Sequence, residues 1–244
     1  MPGAWELFDA QPGGILPIRS LMDRKFLAVL IPHTGEMSAD FCYQLTQLRL
    51  PPGSGIFMSK EIPLDVSREN MIRRALDMGF EWFLFLDSDV ILPQLAIEEL
   101  LSVHKPIVTG LYRTKKKGNG WSVWNEGKDP EGKDTLLHID SWTEKIIACD
   151  AAGMGCMLIR KCVFEDMFLK FPKLPWFFWS INRNPGFIHS LEVPDPHMQH
   201  VGEDIWFCLL ARACGYKIHI NTEIKCTHVG TCKIKENEIQ TWSY

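Results

Sequence analysis

Apolar residues along this 244-residue chain occur in short continuous runs, with amphipathic stretches between them. The run KFLAVLI (25–31), which Pro32 closes, is typical of a strand buried on both faces of a parallel sheet. Two further strands are predicted at GIFMSK (55–60) and EWFLFLDSD (81–89). No run reaches the roughly 18 apolar residues that a membrane-spanning helix needs, so the pattern predicts no transmembrane segment.

Amphipathic helices are predicted between these strands. One lies near 38–48, and a stronger one begins at Ser67, a suitable N-cap, and ends at Gly79, where a helix can stop. Strands and helices thus alternate along this part of the chain, which is typical of βαβ layers. We predict an α/β fold with a Rossmann-like, mostly parallel central sheet flanked by helices.

The second half of the chain has a different pattern. A helix (94–103) and a strand (106–112) precede two segments, 121–127 and 135–142, that indicate a smaller antiparallel hairpin around the turn GKDPEGKD. A small-residue turn that leads into a strand is predicted at 149–160, and an aromatic strand at 175–182. A mobile loop is predicted at 182–200 and a helix at 202–215. One domain is expected to cover 1–244.

The composition fits a globular protein with a substantial core, since 46% of the residues are apolar and 23% are charged. A formal net charge of -4 and a pI near 6.1 give no sign of nucleic-acid binding. The basic cluster Lys115–Lys117 is interpreted as a solvated loop. The eight cysteines are scattered through predicted strands and helices, and the start, MPGAWELFDAQPGG, is unlike a signal peptide. We therefore expect reduced thiols in a cytoplasmic protein.

Two carboxylates, Asp87 and Asp89, end the predicted strand 81–89. The carboxyl edge of an open α/β sheet is where ligands bind. In an extended backbone residues two apart face the same way, so both carboxylates are expected to face the ligand while Ser88 points elsewhere. Neighbouring carboxylates repel each other unless a cation or a shared proton intervenes. Such oxygen ligands suit Mg²⁺ or Mn²⁺ held partly by a substrate diphosphate.

Several motifs occur in an order that resembles the metal-dependent glycosyltransferases of the GT-A fold, in particular family 2-like members with an Asp-x-Asp motif. In chain order they are SRENMIRRAL, WFLFLDSD, CDAAGMGCMLIR, GEDIWFCLLARACGYKI and IKCTHVG. The resemblance runs from about residue 25 to 230. It implies a GT-A sheet whose first half, about 25–115, binds a nucleotide sugar and whose second half, about 116–244, forms the acceptor site.

The resemblance also implies roles for individual residues in metal binding and catalysis. Asp89 binds the metal, Asp87 contacts the metal or the ribose, and His228 is a second metal ligand. Asp204, in the first turn of the GEDIW helix, matches the catalytic base of inverting members, with Glu203 beside it. The helix dipole favours the ionised form of a carboxylate at that place.

Other residues are implied as contacts of the donor. They are Pro32, His33 and Thr34 at the nucleotide, Arg68 near the phosphates or sugar, and Gly153 packed close to the donor sugar. Ser88, between the two aspartates, is also assigned to donor binding. The expected donor is a UDP- or GDP-linked sugar, used with Mn²⁺ or Mg²⁺, and the acceptor is a hydroxyl of a sugar, a lipid or a small molecule. The resemblance leaves inverting and retaining stereochemistry both open.

Two other functions remain open at the level of sequence. DSDV after an apolar strand also matches the Asp-x-Asp-x-Val nucleophile motif of haloacid-dehalogenase-like Mg²⁺ phosphatases, although that family carries the motif on its first strand. A catalytically silent carbohydrate-binding member of the GT-A fold is the second alternative. Cys226, His228 and Cys232 do not have the spacing of zinc knuckles, so a structural zinc site is not favoured.

Overall fold

The computed structural model describes residues 25–60, 63–115, 120–180, 193, 194, 198 and 201–229. Five helices are defined in these residues: α1 (Ala39–Gln47), α2 (Leu64–Asp77), α3 (Ala96–Ser102), α4 (Lys161–Lys170) and α5 (Glu203–Ala213). None of these helices is long and apolar enough to cross a membrane. The helices predicted near 38–48, 94–103 and 202–215 are confirmed, whereas α4 was not predicted from the sequence.

The strands of the described residues are β1 (Leu27–Pro32), β2 (Gly55–Ser59), β3 (Trp82–Leu86), β4 (Val90–Ile91), β5 (Ile107–Leu111), β6 (Val123–Lys128), β7 (Asp134–His138), β8 (Ile146–Cys149), β9 (Ala151–Ala152), β10 (Cys156–Arg160), β11 (Ile218–Lys225) and β12 (Thr227–His228). Seven of them form the main sheet in the order β2-β1-β3-β10-β5-β11-β8. Within it, β2, β1, β3, β5 and β11 run in one direction, and β10 and β8 run in the other. The predicted α/β fold with a mostly parallel sheet is confirmed.

Helices cover the main sheet on both faces. Every residue of β1 is buried, because successive side chains enter different cores. Leu30 packs in a core with residues of α2, α4 and α5, whereas Val29 packs in the opposite core with residues of α1 and α3. This three-layer arrangement explains why the strands appear as continuous apolar runs in the sequence.

Two small sheets flank the main one. The predicted antiparallel hairpin is confirmed as β6 and β7, with β9 as a third strand in the order β7-β6-β9. The other small sheet pairs β4 with β12, which joins the segment after β3 to the segment after β11. None of the cysteines among the described residues forms a disulfide.

Two local predictions are wrong. α2 begins at Leu64 and has Pro63 as its N-cap residue, so Ser67 does not cap the helix but lies fully buried within it. The segment 175–182 forms no strand over its described part, 175–180. Most of the predicted loop 182–200 lies outside the described residues.

Candidate active site

A cavity of about 390 Å³ opens at the carboxyl ends of β1 and β3. Its volume lies in the range of about 300–1,000 Å³ that is typical of small-molecule sites. The cavity is lined by Pro32, His33, Thr34, Pro63, Leu64, Asp87, Ser88, Asp89 and Trp179. The structure thus brings together the six lining residues that the sequence assigned to the donor and its metal.

Asp87 and Asp89 lie in a turn rather than in the extended backbone that was predicted. Val90 N donates a hydrogen bond to Asp87 O at 3.0 Å, which closes the turn between β3 and β4. Because the backbone is not extended here, Ser88 lines the same cavity as the two carboxylates. The prediction that Ser88 points elsewhere is therefore wrong.

The guanidinium of Arg68 links the turn after β3 to the start of α5. Its Nη2 donates to Asp87 Oδ1 at 2.6 Å, and its Nη1 donates to Glu203 Oε1 at 2.5 Å. Arg68 belongs to the buried face of α2 and is only 2% exposed. It is not among the residues that line the cavity. A direct contact of Arg68 with the donor phosphates or sugar stays a prediction, while its bridge between two carboxylates was not foreseen.

Arg68 supplies one positive charge to three carboxylates. Burial alone would lower the pKa of Arg68, but Asp87, Glu203 and Asp204 hold that pKa above its ordinary value. Burial raises the pKa of Glu203 to about 7, although Arg68 opposes the rise. Burial also raises the pKa of Asp204, again against the influence of Arg68. One guanidinium does not balance the cost of burying both carboxylates of α5, so the pKa of Glu203 and the pKa of Asp204 both stay above their ordinary values.

Asp204 lies in the first turn of α5 and is partly exposed. Its Oδ1 accepts a hydrogen bond from Ile205 N at 2.8 Å. Gly202 is the N-cap residue of α5, and a Cβ on Gly202 would lie 3.0 Å from Asp204 Oδ1. A carboxylate with a raised pKa binds a proton more tightly than an ordinary one and is a better general base near neutral pH. Asp204 is therefore suited to take a proton from an acceptor hydroxyl.

The pairing of β12 with β4 brings His228 beside Asp89. His228 lies opposite Val90 in this small sheet, and Val229 N donates to Asp89 O at 2.7 Å. His228 Nε2 is 3.5 Å from Asp89 Oδ2, and His228 Nδ1 is 2.6 Å from Arg113 O. Because a carbonyl oxygen only accepts, Nδ1 carries the hydrogen, and the neutral ring presents a lone pair at Nε2. A backbone carbonyl that orients an imidazole in this way is typical of metal-binding histidines.

Asp89 and His228 offer two ligand atoms suited to a divalent ion. Burial alone would raise the pKa of Asp89, but interactions with His228 and Lys115 lower it to about 2, so the carboxylate is ionised at neutral pH. Within the described part of the chain, no group of three His, Cys, Asp or Glu side chains is arranged to hold a metal. Mg²⁺ is commonly bound through one or two carboxylates together with substrate phosphates and water. The pair therefore fits an ion that is held jointly with a diphosphate.

Lys115 contacts this pair, which the sequence did not predict. Its Nζ lies 2.5 Å from Asp89 Oδ2, so it is not merely part of a solvated loop. Lys116 and Lys117 lie outside the described residues. The ammonium group supplies positive charge at the carboxylate where a divalent ion would supply it. No local pattern in the sequence signals this contact, because only the fold brings the loop after β5 to the turn after β3.

Gly153 belongs to a small-residue turn that packs on Tyr112. A Cβ on Gly153 would lie 2.1 Å from Tyr112 Oη, and one on Gly155 would lie 2.9 Å from Tyr112 Cζ. Gly155 N donates to the Tyr112 hydroxyl at 3.0 Å, and the Tyr112 ring packs edge-on against His228 with the centroids 5.4 Å apart. The turn thus supports the side of the site where His228 lies. A contact of Gly153 with the donor sugar stays a prediction.

The similarity to other proteins lies in the three-dimensional structure. No protein-family model and no curated protein matches the chain. Among solved structures, A197 from STIV matches with 17% identity and a TM-score of 0.49, over 85% of this chain and 86% of that chain. GalNAc-T7, crystallised with UDP, GalNAc and Mn²⁺, matches with 12% identity and a TM-score of 0.52, over 84% of this chain and 44% of that chain.

The similarity to GalNAc-T7 shows the class of fold. The chain has a GT-A-like fold, in which a large mostly parallel sheet is flanked by helices and small antiparallel sheets. This agrees with the fold that the order of sequence motifs implied. The chain spans less than half the length of GalNAc-T7.

Proposed function

We propose that this protein is a glycosyltransferase that moves a sugar from a UDP- or GDP-linked donor to a hydroxyl acceptor, assisted by Mn²⁺ or Mg²⁺. The observation that carries the proposal is the cavity at the carboxyl ends of β1 and β3, where the Pro32–Thr34 loop and the Asp87–Asp89 turn line one space. The GT-A-like fold supports it, as do the UDP and Mn²⁺ bound to GalNAc-T7.

The leaving diphosphate is the first chemical problem of such a transfer. Asp89 and His228 would hold the metal, which neutralises the charge that develops on the diphosphate. Asp87 is fixed by Arg68 yet remains 26% exposed, so it is available to a ribose hydroxyl or to the metal. Ser88 adds a hydroxyl at the same wall of the cavity.

The acceptor hydroxyl is the second problem, because its oxygen is a poor nucleophile until it loses a proton. In an inverting transfer the acceptor oxygen forms a bond to the anomeric carbon, the bond from that carbon to the diphosphate breaks, and the proton passes to Asp204. Because its pKa is raised, the Asp204 carboxylate is a stronger base for that proton than an ordinary aspartate. Arg68 ties the start of α5, and with it Asp204, to the turn that carries Asp87.

The proposal is tested by supplying UDP- and GDP-linked sugars with Mn²⁺ and measuring release of UDP or GDP. We expect release from one class of donor, stimulated by a hydroxyl acceptor and lost when EDTA removes the metal. Binding of nucleotide sugars without release, across a panel of acceptors, would instead indicate the silent member of the fold. Hydrolysis of p-nitrophenyl phosphate without use of any donor would indicate the phosphatase.

A further inference from the structure

Trp179 forms an aromatic wall of the cavity that the proposed mechanism does not use. It is 40% exposed, whereas Trp82, Trp176 and Trp206 are buried in the core. Its neighbours in the cavity wall include Leu64 and the carboxylates of the Asp87–Asp89 turn. Small-molecule sites are commonly lined by apolar and aromatic side chains with a few polar groups among them, so an indole that is partly exposed at this cavity wall is suited to contact a ligand.

The backbone that carries Trp179 is fixed in place although it forms no strand. Trp179 N donates to Asp65 Oδ2 at 3.0 Å, and Asp65 is 3% exposed in the first turn of α2. Glu69, one turn further along α2, accepts from the backbone N–H groups of Trp176 and Phe177 at 3.0 and 3.1 Å. The indole is therefore presented from an ordered backbone, which lowers the entropy cost of binding a ligand against it.

The cavity combines two kinds of surface. Pro32, Pro63 and Leu64 line it together with Trp179, while Asp87 and Asp89 line it with carboxylates. A ligand that matches both surfaces has a flat, weakly polar ring joined to a hydroxylated and metal-binding part. A nucleoside diphosphate has this chemistry, since the base is flat and the ribose and phosphates are polar.

His33 adds a hydrogen-bond donor to the same cavity. Its Nδ1 accepts from Gly35 N at 3.1 Å, so in the neutral ring the hydrogen is on Nε2. A single N–H donor of this kind matches a carbonyl oxygen at the edge of a nucleobase or a ribose oxygen. His33 therefore suits the same ligand as Trp179 does.

We propose that Trp179 is a stacking platform for the nucleobase of the donor. The inference rests on the proposed function, because it takes the ligand to be a nucleotide sugar. Trp179 supplies affinity and selects for a flat base, and it does not touch the reacting atoms. Loss of an aromatic platform weakens binding of a stacked base about 5- to 100-fold.

The test compares ligands with and without a base on the full chain by titration calorimetry. UDP and GDP are titrated with Mn²⁺ into wild type, Trp179→Ala and Trp179→Phe, and pyrophosphate with Mn²⁺ is the probe that lacks a base. Phe168→Ala is the matched control, because Phe168 is 52% exposed on α4 and does not line the cavity. We expect Trp179→Ala to weaken the preferred nucleotide about 5- to 100-fold, with pyrophosphate unchanged. Trp179→Phe, which keeps an aromatic face, should retain most of the affinity.

Three results would overturn the platform. Nucleotide affinity within twofold of wild type in Trp179→Ala would show that the base does not stack on Trp179. An equal loss of nucleotide and pyrophosphate affinity would show that Trp179 only supports the shape of the site. In both cases wild-type binding of nucleotide with Mn²⁺ leaves the proposed function standing, whereas absence of any nucleotide binding by wild type overturns both proposals.

Discussion

Replacing Asp204 by asparagine is expected to lower kcat for sugar transfer by about 10²–10⁴-fold, the usual contribution of a general base. Asparagine keeps the size of the side chain and an oxygen that can accept from Ile205 N, so α5 should begin as before. It cannot take the proton of the acceptor hydroxyl. Nucleotide and Mn²⁺ binding should stay close to wild type, because Asp204 is not among the residues that line the cavity at the carboxyl ends of β1 and β3.

The matched control is Asp40→Asn, which changes an exposed carboxylate in the first turn of α1. It should transfer at close to the wild-type rate. The pH profile gives a second check, because only the ionised form of Asp204 accepts a proton and burial raises its pKa. As the pH is lowered, wild-type kcat/KM should therefore begin to fall before the pH reaches about 4, the ordinary pKa of aspartate. Transfer by Asp204→Asn at near wild-type rate would remove Asp204 as the base.

Replacing Arg68 by methionine is expected to reduce the free energy of unfolding by about 3–5 kcal/mol at pH 7, the cost of breaking a buried ion pair. Methionine fills much of the same volume, so the loss comes mainly from Asp87 and Glu203, which are left without their partner. Urea unfolding measures the change. The loss should shrink as the pH falls from 7 to 5, because burial raises the pKa of Glu203 to about 7 and its protonation removes one of the charges that Arg68 had paired.

Two further variants separate this effect from a simple loss of positive charge. Arg73→Met, on the same helix, removes an arginine that is half exposed and paired with Glu69, and it should cost only about 0–1 kcal/mol. Adding Glu203→Gln to Arg68→Met should recover part of the lost stability, since one uncompensated charge is removed. If Arg68→Met unfolds at the same urea concentration as wild type, Arg68 does not hold the site together.

The layered fold was predictable because the information is local. The side chains of β1 and β3 are apolar on both faces, and Gly79 ends the preceding helix with a φ of +85°, which a glycine adopts at low cost. α4 was missed because β10 runs directly into it: Arg160 is both the last residue of the strand and the N-cap residue of the helix, so no turn residue marks the boundary. β8 was also missed, because it is a short edge strand whose residues are mostly half exposed and whose sequence has no clear alternation of apolar and polar residues.

The candidate site was predictable as a set of motifs but not as a network. Strand periodicity and the order of motifs pointed to Asp87, Asp89 and His228, and the fold brings them to one edge of the sheet. The pairing of Arg68 with Glu203 depends on how α2 and α5 pack, which no local pattern encodes. Trp179 was predicted as part of a strand, because the residues beside it are aromatic. In the structure, the backbone N–H groups of this segment donate to acidic side chains of α2 instead of to a neighbouring strand.

Metal-dependent nucleotide binding at Asp89 is measured by thermal unfolding with UDP or GDP, each with and without Mn²⁺, on wild type and Asp89→Ala. A ligand that binds only the folded protein raises the unfolding midpoint with the logarithm of its saturation. Asp134→Ala is the control, since Asp134 is an exposed carboxylate paired with Lys128 in the hairpin. We expect a shift that needs both nucleotide and Mn²⁺, persists in Asp134→Ala and disappears in Asp89→Ala. No shift with either nucleotide, or a metal-dependent shift that survives in Asp89→Ala, would contradict this expectation.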